Sequence, residues 1–78
     1  MTKEQIISDK KWQYISSLKP EERYYAITQF KANIENEYNV KIEDWPFTRL
    51  PEVTDDMVTI SVTDRSINVA FMFVLIPQ

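Results

Sequence analysis

Ile67 to Ile76 is apolar on both faces of a strand, and this restricts the fold more than any other feature of the chain. Ile67, Val69, Phe71, Phe73 and Leu75 point one way. Ala70, Met72, Val74 and Ile76 point the other, and only Asn68 breaks the second set. Both faces must therefore be covered. Burying four such side chains is worth about 6–12 kcal/mol at ~1.5–3 kcal/mol each. That is comparable with the whole stability expected of a domain of 78 residues. Three structures can cover the second face: the Trp45–Val53 segment folded across it, a second copy of the chain, or a different protein. The first completes the core within one chain, in keeping with how rarely monomers leave large apolar patches open. The other two are favoured by the strand that comes before.

That strand has one wet face. Val58, Ile60 and Val62 alternate with Thr59, Ser61 and Thr63, and Asp64-Arg65-Ser66 supplies the turn between the two strands of a hairpin. Upstream the periodicity is helical. Thr2 and Gln5 form a capping-box pattern, and Ser8 or Asp9 offers a second start. Ile7, Tyr14, Ile15 and Leu18 then share one side of a helical wheel, with Trp12 at its edge. Pro20 suits the first position of a second helix, and Glu21 and Glu22 suit the positive end of its macrodipole. Tyr24, Ile27, Phe30, Ile34 and Tyr38 line one face of that helix, and Asn39 is a fitting C-cap in a chain without glycine. Val40-Lys41-Ile42 reads as a short third strand.

These patterns predict one α+β domain over residues 1–78. Two N-terminal helices (1–38) pack on a small antiparallel sheet dominated by a C-terminal β-hairpin (57–76). Residues 39–56 form a Pro-containing acidic and aromatic loop between them. The helices are expected on the face bearing Ile67, Val69, Phe71 and Phe73, because those side chains are the larger set.

Composition narrows the function. The chain has no histidine, cysteine or glycine. It therefore lacks the commonest neutral-pH acid/base and metal ligand, thiolate chemistry and disulfides, and the loops that cradle phosphates. A serine or threonine nucleophile would need a lysine or carboxylate as its base, and no motif places one beside it. No cofactor is implied. The net charge is -3 and the pI near 4.8, which disfavours direct binding to nucleic acid or an anionic membrane. The excess acid lies in the second half: residues 1–38 carry six acids and six bases, residues 39–78 six acids and three bases. The polar N-terminus has no signal-like apolar segment, and Val69–Ile76 is too short for a spanning helix. A cytoplasmic location is the expectation.

Several residues stand out as candidate contacts. Tyr25 lies opposite the apolar stripe of the second helix and fits an interface anchor, although single exposed aromatics are ordinary. Trp45, Phe47 and Arg49 make an aromatic and guanidinium group suited to a binding hot spot or to base stacking. The neighbouring acids oppose the stacking, and the plainer reading is a loop pinned to the core by Trp45 and Phe47. Met72 and Val74 belong to the surplus strand face. The pairs Glu43-Asp44 and Asp55-Asp56 are most simply solvated loop residues. They are also candidates for a metal-assisted hydrolase, or for a mimic of nucleic-acid phosphates.

The function expected from these features is a non-enzymatic module that binds another protein or itself, a regulator or inhibitor of a larger protein. One alternative is an acidic decoy that blocks a nucleic-acid-binding enzyme, as some phage or mobile-element proteins do. A small metal-assisted hydrolase is the other.

Overall fold

Three helices precede a three-stranded antiparallel sheet in the computed structural model, which describes residues 1–78. They are α1 (Lys3–Ser8), α2 (Lys10–Ser17) and α3 (Pro20–Tyr38), followed by β1 (Val40–Pro46), β2 (Val58–Asp64) and β3 (Val69–Pro77). A 3-10 turn, Phe47–Arg49, follows β1. The α+β class agrees with the sequence pattern; the number of helices does not.

The extra break comes from Asp9. Its extended backbone ends α1, and its carboxylate accepts from the backbone N–H groups of Lys11 and Trp12 to start α2. The two apolar stripes are therefore out of phase. Ile6, Trp12 and Ile15 are buried, whereas Ile7 and Tyr14, placed on the apolar side by a single continuous helix, are exposed. The Thr2–Gln5 capping box forms as its pattern predicts.

α3 begins at Pro20 and ends on Asn39, which adopts the left-handed conformation with φ 53°. Ile27, Ile34 and Tyr38 are buried along it, but Phe30 is not. The helix is kinked there, with φ -112° and ψ 16° at Phe30. Two residues earlier the Thr28 hydroxyl donates to the carbonyl oxygens of Tyr24 at 2.8 Å and Tyr25 at 3.2 Å. Such back-bonding bends helices, and it turns Phe30 out of the stripe.

The sheet order is β1-β3-β2. The strand apolar on both faces is thus the central one, paired on both edges. Val40 faces Pro77 and Pro46 faces Phe71, while Val58 faces Leu75 and Asp64 faces Val69. β1 runs four residues beyond the expected Ile42, so Glu43, Asp44 and Trp45 are strand residues rather than loop residues. The hairpin turn lies later than expected, and Asn68 takes a positive φ of 52°. Asp64, buried at the end of β2, accepts from the backbone N–H and hydroxyl of Ser66 and holds the turn.

Val40, Ile42, Val58, Ile60, Val62, Phe71, Phe73 and Leu75 meet the helices in one core. The helix-side face of β3 is therefore the one its side-chain sizes predicted, except that Ile67 and Val69 lie exposed at its beginning. β1 and β2 run parallel on either side of β3, so residues 47–57 must carry the chain from one end of the sheet to the other. The Phe47–Arg49 turn at the start of this connection packs against β3. Val74, on the face opposite the helices, is 0% exposed. The folded chain therefore encloses Val74 without a partner, while Met72 and Ile76 beside it stay half-buried.

Both outer edges of the sheet are partly occupied. On β1, the Ile42 N–H points away from β3 and donates to Glu35 Oε2 at 3.0 Å, and Pro46 has no N–H to offer. On β2, the outward carbonyl oxygen of Ser61 accepts from Arg23 Nη1 at 3.1 Å. The same guanidinium donates to the Ser16 carbonyl oxygen at 2.8 Å, while its buried Nε has no partner. Such coverings discourage edge-to-edge pairing.

Candidate functional site

A strongly apolar concave surface lies between α2 and α3. It is a groove of about 540 Å³ lined by Tyr14, Ile15, Ala26, Phe30, Ile34 and Tyr38, with Lys10, Lys11, Asn33 and Glu37 also bordering it. Two features of local sequence build it. The Asp9 break rotates Tyr14 outward to 65% exposure, and the Thr28–Phe30 kink leaves Phe30 48% exposed. Across the groove, Lys11 Nζ donates to Glu37 Oε1 at 3.1 Å and Oε2 at 3.2 Å.

The floor is tied down by Tyr38. Its ring is buried, and its hydroxyl donates to Asp9 Oδ1 at 2.9 Å. The hydrogen bond from Tyr38, helped by the Lys11 and Trp12 N–H groups and the Lys11 charge, holds the Asp9 carboxyl below the usual carboxylate range. Burial, then the same hydrogen bond and the charges of Asp9 and Glu37, push the Tyr38 phenol well above its ordinary value. One carboxylate thus joins the α1–α2 corner to the end of α3.

The residues singled out in the sequence are not gathered into one site. Tyr25 is exposed and meets Tyr24 edge-to-face at 5.3 Å. Trp45 is half-buried on the face opposite the helices, where its Nε1–H donates to Glu43 Oε2 at 2.9 Å. Trp45 and Arg49 share a shallow hollow with Lys31, Lys41, Glu43 and Asp44. Phe47 is 45% exposed, so it does not pin the connection to the core. Met72 is half-buried, and Val74 is fully enclosed and unavailable to a partner of the folded chain.

The acid pairs are also separated. Glu43 and Asp44 are consecutive on a strand and project from opposite faces, so they do not converge on one ion. Lys41 Nζ lies 3.0 Å from Glu43 Oε1, and this contact, with the Trp45 hydrogen bond, lowers the Glu43 carboxyl below its ordinary value. Asp55 and Asp56 are exposed in the connection, where Thr54 Oγ1 donates to Asp56. No three carboxylates gather in metal-binding geometry. No helix is long and apolar enough to cross a membrane.

The groove itself is hidden in the sequence, because helical periodicity places both Tyr14 and Phe30 on apolar stripes. Asp9 is legible as a second helix start, though not its effect on the phase of Tyr14; the signal missed is Thr28, two positions before Phe30. Comparison with known proteins finds no family model, curated protein or solved structure that matches this chain.

Proposed function

We propose that this chain is a non-enzymatic protein-interaction module, a regulator or inhibitor of a larger protein, which docks through the α2–α3 groove. The observation that carries this reading is the exposure of two large aromatics, Tyr14 and Phe30, on the walls of one apolar groove. Scattered exposed apolar residues are ordinary, but aromatics converging on a concave apolar surface suit a buried interface core. The groove is also held by tertiary contacts on both sides, through Lys11–Glu37 and Tyr38–Asp9. A preformed surface of this kind loses less entropy on binding.

The test uses the chain with Tyr14→Ser and Phe30→Ser together. Both residues are exposed, so the variant should keep its fold, checked by circular dichroism. A partner isolated with the unaltered chain, then purified, should bind the double variant at least about ten-fold more weakly, as for loss of a hot spot. Equal binding by the two chains would remove the groove from the interface. Native mass at several concentrations distinguishes a second copy of the chain from a different protein.

A further inference from the structure

The helices do not cover their face of the sheet evenly. α3 begins over β2, where Arg23 reaches the carbonyl oxygen of Ser61, and ends at Asn39, immediately before β1. It therefore crosses the sheet on a diagonal. α1 packs against β2 on one side of that diagonal. On the other side, where β1 ends and β3 begins, a cleft of about 260 Å³ lies open. Tyr24, Asp44, Pro46, Val69 and Phe71 are among its lining residues. Tyr24 meets Phe71 edge-to-face at 5.9 Å, and Phe71 meets Phe73 at 5.1 Å. The aromatic wall is thus continuous with the core and held in place by it.

Asp44 is the only charged residue lining this cleft. Its carboxylate has no cation within 4.0 Å: Lys41 is paired with Glu43 on the opposite face, and Lys31 and Arg49, which share the neighbouring hollow with Asp44, form no ion pair with it. Asp44 also holds an opening in the strand edge. Backbone groups alternate along an antiparallel strand. Ile42 turns its N–H outward to Glu35, and Asn39 pairs inward, its carbonyl oxygen accepting from the Gln78 N–H. Asp44, two residues after Ile42, therefore directs its own N–H and C=O outward, and neither is taken by a side chain. Glu35 on one side and Pro46 on the other limit any added backbone pairing to this one residue.

We propose that this corner docks an extended segment of a partner protein, one that sets a lysine or arginine against the Asp44 carboxylate and an apolar side chain against Tyr24 and Phe71. The segment's backbone pairs with the outward N–H and C=O of Asp44, a single step of strand addition. The aromatic rings add attraction for the cation. Because the backbone bridge is so short, selectivity rests on the charge and on the apolar neighbour. This surface is separate from the α2–α3 groove, and its occupancy does not depend on what binds there.

The test is an amide NMR titration of the isotope-labelled chain with two blocked hexapeptides of alternating valine and threonine. One carries a central lysine and the other a central glutamate. The lysine peptide should shift the amides of Asp44, Ala70 and Phe71, and bind about five-fold more tightly than the glutamate peptide, as for a partly exposed ion pair. Asp44→Asn should abolish that preference, while Glu43→Gln, on the opposite face, should leave it intact. Equal binding of the two peptides, shifts confined to the α2–α3 groove, or no shifts at millimolar peptide would each overturn the proposal. So would a concentration-dependent dimer lost in Asp44→Asn, which would make a second copy of the chain the occupant.

Discussion

Asn39 and Asn68 stand where a glycine would ordinarily stand, with φ of 53° and 52°. A chain with no glycine still has to turn, and asparagine is the residue whose short polar side chain best tolerates the left-handed region. Asp9 is the other position where one side chain serves several needs. It ends α1, caps α2 and accepts from the Tyr38 hydroxyl. Both partners of that bond should give the fold a pH dependence. The Asp9 carboxyl titrates lower in the folded chain than its reference 3.8. Its stabilisation is therefore present above that pH and is lost as pH falls through the folded value. The Tyr38 phenol titrates higher than its reference 10.0. Its contribution is complete below pH 10 and is lost as pH rises toward the folded value. Urea midpoints measured across pH should fall at both ends, and Tyr38→Phe should flatten the alkaline fall and weaken the acid one. An unchanged profile in that variant would show that the Asp9–Tyr38 bond does not couple folding to protons.

At the scale of elements, local signals decided what could be read in advance. Pro20 and Asn39 bound α3 where they were expected, and the alternation of Val58, Ile60 and Val62 appears as three buried residues on one face of β2. The phase of the N-terminal helices was not legible, because the sequence offers Asp9 as a second start without deciding that the helix breaks there. Ile6→Ala should therefore cost about 2–5 kcal/mol, and the adjacent Ile7→Ala less than ~0.5 kcal/mol. Denaturant midpoints of the two variants check the phase directly, and similar losses would restore a continuous helix. β1 was legible only as far as Ile42. Beyond it both faces carry polar residues, and the strand extends because β3 needs a partner on that edge. Glu35 then covers part of the edge. Glu35→Ala should lower stability by about 1 kcal/mol through the unpaired Ile42 N–H, and light scattering should rise with concentration as the edge becomes available. Glu35→Gln, which retains an acceptor oxygen, should largely prevent both effects.

For the whole molecule, the demand made by the two-faced strand was the most reliable guide. It required two covers: the helices provide one, and on the other face Val74 is fully enclosed while Met72 and Ile76 are half-buried. What it could not reveal was which apolar residues remain outside. Those are set by the Asp9 break, the Phe30 kink and the diagonal course of α3, each a tertiary outcome of a small local cause. The order β1-β3-β2 has one more consequence, which concerns the making of the protein. A ribosome releases both flanking strands before the one that joins them. Until Val69–Pro77 has emerged, neither has a hydrogen-bonding neighbour, and Val58, Ile60 and Val62 have no finished interior to enter. A nascent chain halted at Ser66 should accordingly give a collapsed amide spectrum and no sheet signal by circular dichroism, and a synthetic peptide of residues 67–78 should restore both. If the halted chain already showed dispersed amides, assembly would not be waiting for the final strand. Otherwise the newborn chain carries exposed greasy segments until Val69–Pro77 has emerged, and holdase chaperones have that interval in which to bind it.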